Sequence, residues 1–189
     1  MAAGQFAYGV ALRGGDDLDG VFGEAGQSLA GGFDHGLGDD GVGWVVAQEV
    51  KNNLAEEAKD IEVDFLALGG LSLMERLVGY QHVILVDSLN TGQRHQGEVI
   101  NFTLQDMVDL IYGHASAAHD ASLKQSLEVG RNLNVPLPSD ENVHIVAIEA
   151  RHVYDFTEEL STEIAAAVPK AVQMVLNLIA KIERAIDQK

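Results

Sequence analysis

Two carboxylates and one imidazole lie at strand ends or in loops, the positions where α/β proteins commonly place their functional residues. Asp40 is the second acid of the segment GDDGVG, Asp87 ends the apolar run HVILVD, and His119 lies among small residues in SAAHDA. Carboxylate oxygens and an imidazole nitrogen suit a divalent metal of intermediate hardness, nickel or zinc among them, with other positions left to water or substrate. The three residues therefore predict a carboxylate-rich cleft with donor types that a divalent metal accepts.

Each of these residues also has a structural interpretation. Asp39 and Asp40 precede a predicted helix, where a carboxylate caps backbone N–H groups, and Asp39 is the candidate N-cap. An acid at the tip of a buried strand, such as Asp87, favours a site role because burying an unpaired charge is costly. An isolated histidine like His119 is more often a capping or surface residue. Glu149, which ends a second apolar run, VHIVAIE, lines the same cleft if the two strands are neighbours.

The elements that must position these residues follow from hydrophobic periodicity. Strands alternate with helices, so the sequence predicts one three-layer α/β domain, a twisted and largely parallel sheet with helices on both faces. Ligands bind outside the carboxyl ends of the strands in such folds. Pro169 interrupts the last helix and is predicted to kink or split it. The predicted strands are Gln5–Leu12, Ile61–Leu68, His82–Asp87, Gln96–Phe102 and Val143–Glu149, and the predicted helices are Val42–Lys59, Leu71–Val78, Leu104–Tyr112, Ala121–Asn132 and Thr157–Ile186.

The uneven distribution of glycine divides the chain into an N-terminal segment and a predicted domain. Residues 1–36 are rich in Gly and Asp and show no sustained period, so apart from one possible strand they read as loop or weakly ordered insertion. Residues 37–189 carry the periodic pattern and form the predicted α/β domain.

Composition excludes several classes of function. The 189 residues include 12 Lys+Arg and 29 Asp+Glu, a net charge of −17, which works against binding of nucleic acid. The absence of Cys excludes disulfides, thiolate metal sites and a cysteine nucleophile. Apolar stretches fall short of the ~20 residues that span a bilayer, and the N-terminus lacks a secretory pattern. A cytoplasmic protein without membrane contact is expected.

Four segments in order, GDDGVG, GGLSLMERLVGYQHVILVD, SAAHDASL and VHIVAIEA, resemble the NiFe-hydrogenase maturation endopeptidases, over about Gly38 to Ile179. The resemblance implies an α/β fold and a monomeric hydrolase that removes a C-terminal extension from the hydrogenase large-subunit precursor. It also implies that nickel, carried by the precursor and replaceable by another divalent metal in the isolated protein, is contacted by Asp40, Asp87 and His119 as catalytic and metal-binding residues.

The start of the chain departs from that family pattern, which has an apolar strand and a Gly-x-Gly-Asn loop directly before the acidic motif. An imperfect copy lies upstream in residues 7–17, so residues 18–36 are an insertion or the N-terminal reading frame is altered. If the upstream copy forms the loop, Asp17 replaces Asp40. Two alternatives remain open: a relative that binds the precursor without cutting it, and a metal-dependent hydrolase of small molecules.

Overall fold

A computed structural model describes residues 8–12, 38–54, 60–66, 68–107, 117–151 and 159–188, with backbone alone for 8–12 and 117–122. Strands and helices alternate along the chain except at β3 and β4, which follow one another without an intervening helix. The strands are β1 (Tyr8–Leu12), β2 (Ile61–Phe65), β3 (His82–Leu89), β4 (Val99–Thr103) and β5 (Val143–Glu149), and the helices are α1 (Val42–Asn53), α2 (Gly70–Arg76), α3 (Ala117–Asn132) and α4 (Thr162–Ile186).

The five strands form one sheet in the order β2-β1-β3-β5-β4. The predicted α/β class is confirmed, but the prediction of a largely parallel sheet is wrong. Among the described strands only β3 and β5 pair in parallel, whereas β1 is antiparallel to both β2 and β3, and β4 is antiparallel to β5. The physical reason is that a continuous apolar run reports burial on both faces and not the direction of the neighbouring strand. The two longest apolar runs do form the parallel pair.

Helices cover both faces of the sheet. Because strand side chains alternate, Ile84 and Val86 point to the face packed by α1 and α4, while Val83 and Leu85 point to the face covered by α2 and α3. The same alternation places Ser88 on the α1 and α4 face and Asp87 on the opposite one. The end of β3 therefore presents two polar side chains to two different layers.

The position of β1 is relevant to the predicted boundary between residues 1–36 and the α/β domain. It comes from the N-terminal segment and lies inside the sheet, so that segment supplies one strand to the fold. Its last residue, Leu12, pairs with His82, at the opposite end of β3 from Asp87. β1 therefore ends at the end of the sheet opposite to Asp87, and Asp17 lies outside the described residues. The domain boundary at residue 37 stays a prediction.

α4 is one continuous helix of 25 residues and is not split at Pro169. Pro169 removes one backbone donor, but its side chain is exposed, and Val168 and Val172 on either side are buried in the core. Packing of both neighbours against the core stabilises the helix across Pro169. By length and composition alone α4 is apolar enough to cross a membrane. Its buried face packs on α1 and the sheet.

Candidate functional site

A single 3-10 turn, Gly38–Gly41, carries both acids of the GDDGVG segment and leads into α1. Gly38 has a φ of 48°, a left-handed conformation that glycine adopts without a steric cost. The two acids then separate: Asp39 is only 4% exposed, whereas Asp40 remains partly accessible. Adjacent residues of one turn therefore meet different surroundings.

Asp39 joins the acidic turn to the start of α4. Its Oδ1 accepts a hydrogen bond from the backbone N–H of Ser161 at 2.7 Å, and its Oδ2 accepts one from the Ser161 hydroxyl at 2.9 Å. Gln96 Nε2 approaches the same Oδ2 at 3.4 Å and donates to Ser161 Oγ at 3.0 Å. The predicted capping of α1 by Asp39 is wrong, because Gly41 is its N-cap; Asp39 instead holds Ser161, the N-cap residue of α4.

Asp40 is tied to the end of β3. Its Oδ1 accepts a hydrogen bond from the hydroxyl of Ser88 at 2.8 Å. Partial burial raises the pKa of the Asp40 carboxyl above its ordinary value, and the hydrogen bond from Ser88 opposes part of that rise. The carboxyl therefore holds a proton at a higher pH than a solvated aspartate does.

Asp87 lies next to Ser88 and also contacts it. The backbone N–H of Ser88 donates to Asp87 Oδ1 at 2.8 Å, and Asp87 is partly exposed opposite Ala147 of β5. One residue thus bonds both predicted acids, Asp40 through its hydroxyl and Asp87 through its backbone. Both candidates lie at the carboxyl end of β3, Asp40 on the face to which the Ser88 side chain points and Asp87 on the opposite face.

His119 is the third residue of α3, which begins at Ala117 and not at Ala121 as predicted. The side chain of His119 lies outside the described part of the structure. Further along the same helix, Leu123 and Leu127 pack on the face of the sheet to which Asp87 belongs. The backbone of α3 and the side chain of Asp87 are therefore on one side of the sheet.

Glu149 is directed elsewhere, although β5 does neighbour β3. Its carboxyl group, in a side chain only 1% exposed, accepts hydrogen bonds from the backbone N–H of Thr91 at 3.0 Å, the Thr91 hydroxyl at 2.8 Å and the backbone N–H of Gly92 at 2.9 Å. The loop after β3 therefore closes over it. The hypothesis that Glu149 lines the cleft is not supported, and Glu149 anchors this loop.

The donor set at the end of β3 is made of carboxylate oxygens. Within the described part of the chain no three His, Cys, Asp or Glu residues converge as a metal site, and the His119 side chain is outside that search. Sequence reasoning missed Ser88, Gln96 and Ser161. Ser88 could have been found from the sequence, because side chains alternate along a strand. The residue after a strand-end acid therefore points to the opposite face of the sheet. Gln96 and Ser161 carried none, because they meet Asp39 only through the fold.

Comparisons with known proteins agree with this architecture. Residues 45–178 match the family model HycI, described as hydrogenase maturation protease, a span that includes Asp87 and His119 and begins five residues after Asp40. The curated Protein FrxA of Pyrococcus furiosus is 27% identical over 143 residues, which cover 76% of this chain and 97% of that protein.

Solved structures share the fold. The Escherichia coli hydrogenase maturating endopeptidase HybD superposes with a TM-score of 0.58 at 16% identity, covering 77% of this chain and 86% of that one. A solution structure of an endopeptidase from Escherichia coli gives a TM-score of 0.61 at 14% identity, over 80% and 90%. HybD from Thermococcus kodakarensis, a NiFe hydrogenase maturation protease, gives 0.53 at 22% identity, over 76% and 92%. At these identities the likeness establishes the fold.

Proposed function

The chain belongs to the hydrogenase maturation protease family and is a peptidase, and we propose that it removes the C-terminal extension of a nickel-loaded NiFe-hydrogenase large-subunit precursor in the cytoplasm. The observation that carries the proposal is the pair of acids at the end of β3. Asp40 and Asp87 come from distant parts of the chain and are both bonded to Ser88, at the edge of the sheet where α/β proteins bind ligands.

Nickel enters this proposal as part of the substrate. We assign Asp40, Asp87 and His119 to contact with the nickel that the precursor carries. Two carboxylates and an imidazole are suitable donors for such an ion, and without Cys the chain offers no thiolate in their place. The role of His119 rests on its sequence position and on α3 lying on the Asp87 face of the sheet.

This arrangement explains why cleavage would wait for the metal. A nickel-free precursor presents no cation to Asp40 and Asp87, so the two acids lack the charge that would hold the scissile segment near them. A nickel-loaded precursor supplies that charge. The peptidase then acts as a checkpoint, and removal of the extension lets the new C-terminus fold over the finished site.

Intact-mass spectrometry of the nickel-loaded precursor, incubated with a stoichiometric amount of this protein, tests the proposed function. The expected result is a precursor lighter by one C-terminal peptide, with that peptide recovered as a second species. A precursor that binds the protein and keeps its full mass would contradict the proposal and identify a docking protein without peptidase activity.

A further inference from the structure

Most cationic side chains in the described part of the chain are matched by carboxylates or aromatic rings. Arg151, Lys170, Lys181 and Arg184 have no carboxylate partner among the described residues. Arg184 donates to the backbone oxygen of Ala180 in its own helix, whereas the exposed Lys170 and Lys181 of α4 both line the groove described below. The matched pairs are Arg76 with Glu62 and Asp64, Arg94 with Glu98, and Lys124 and Arg131 with Asp140, while Lys51 lies over the ring of Phe65.

The helix itself offers these two lysines no partner. Residues three and four positions away are neighbours on a helix surface, and none of them is acidic. Around Lys170 these positions hold alanine, glutamine and methionine, and around Lys181 they hold asparagine, leucine, alanine and Arg184. The two lysines are eleven residues apart, so they lie on one flank of α4, separated by ~16 Å along its axis.

This flank of α4 forms one wall of a groove of about 380 Å³. The other wall is β4, where Asn101 shares the face of buried Val99, the face turned toward α4. β4 is the edge strand of the sheet, so its outer backbone edge has no strand partner among the described residues. The groove is lined by Asn101, Lys170, Gln173, Met174, Asn177, Leu178 and Lys181, which include two cations, three amides and no acid.

The groove leads away from the candidate site. α4 begins after Ser161, which is bonded to Asp39 in the turn that carries Asp40. Lys170 follows Ser161 by nine residues, or ~14 Å of helix, and Lys181 lies further from the site. A chain segment in the groove can therefore continue into a segment held at the end of β3.

We propose that this groove is an exosite for an acidic, extended segment of the large-subunit precursor, a role that rests on the function proposed above. Carboxylates of that segment would pair with Lys170 and Lys181, and its backbone would hydrogen-bond the groove amides and the open edge of β4. The rest of a chain carrying a net charge of −17 repels such a segment, so the groove determines where it can bind.

Charge reversal tests the exosite. Lys170→Glu and Lys181→Glu are compared with wild type and with Lys51→Glu, which makes the same charge change near β2, at the opposite edge of the sheet. Binding of the nickel-loaded precursor is measured by calorimetry, and kcat and KM for its cleavage by intact mass. Each groove variant is expected to weaken binding and raise KM about tenfold with kcat unchanged, and higher salt should reduce the difference.

The outcomes separate the exosite from the proposed function. Cleavage and binding at wild-type levels in both groove variants would overturn the exosite and leave the peptidase function standing. An equal loss in Lys51→Glu would also overturn it, because net charge alone would then explain the effect. A wild-type protein that binds but never cleaves, with binding lost only in the groove variants, would support the exosite and contradict the peptidase function.

Discussion

β3 and β5 are parallel neighbours, and each is an apolar run that ends in an acid, yet the two strand ends differ. At the end of β5, Glu149 is sealed beneath the loop that follows β3 and accepts hydrogen bonds from Thr91 and Gly92. At the end of β3, Asp87 is partly exposed beside Ser88, which also bonds Asp40. A strand-end acid is therefore structural when a neighbouring loop donates hydrogen bonds to its carboxylate. It is available for chemistry when its carboxylate stays partly exposed at the carboxyl end of the strand.

Replacing the open acid is expected to have the largest effect. Asp87→Ala should reduce cleavage of the nickel-loaded precursor by at least about a hundredfold, as for loss of a group acting on the reacting centre. The free energy of unfolding should change little, because the side chain is partly exposed. His119→Ala should behave alike. Intact mass and urea unfolding check both, and retained cleavage by either variant would remove that residue from the site.

Replacing the sealed acid should give the opposite result. Glu149→Ala leaves two backbone N–H groups and one hydroxyl without their acceptor, so the free energy of unfolding should fall by about 3 kcal/mol. Glu149→Gln keeps part of the acceptor set and should lose less. Both should cleave normally when folded. An unchanged free energy of unfolding in Glu149→Ala, measured by urea unfolding, would contradict the structural role assigned to Glu149.

The same contrast recurs between the adjacent acids of the turn. Asp39→Ala removes the acceptor for the Ser161 backbone and hydroxyl, and should lower the free energy of unfolding by about 2 kcal/mol while folded protein still cleaves. Asp40→Ala should abolish cleavage with a smaller loss of stability. Urea unfolding and intact mass distinguish the two. Normal stability and lost cleavage in Asp39→Ala would show that the roles of the two acids are exchanged.

The smallest expected effect is a shift in pH dependence. If Asp40 must be ionised to meet nickel, cleavage should fall in acid around a pKa above that of an ordinary aspartate. Ser88→Ala removes the hydrogen bond that lowers this pKa, so the acid limb should move to higher pH. Rates of cleavage against pH check this, with Ser88→Thr as the control that keeps the hydroxyl. If the acid limb of the pH–rate profile is unchanged in Ser88→Ala, Ser88 does not affect the ionisation of Asp40 during cleavage.

Local pattern predicted the elements better than their partners. The apolar runs located β3 and β5, and helical spacing located α1 and α4, because these signals reflect burial within one segment. Strand direction and the partner of Asp39 escaped prediction because they depend on long-range contacts: Asp39 and Ser161 are 122 residues apart in sequence. Asp40 and Asp87 each contact Ser88, and the side chain of His119 lies outside the described residues, so the joint role of these three residues stays a prediction.

The most direct test of the central claim compares cleavage of one precursor with and without its nickel. Purified large-subunit precursor, divided into nickel-loaded and nickel-free portions, is incubated with the wild-type protein and followed by intact mass over time. The account predicts loss of the C-terminal peptide from the nickel-loaded portion alone, with the nickel-free portion unchanged. Equal cleavage of both portions would contradict the claim that the acids at the end of β3 recognise the nickel ion in the substrate.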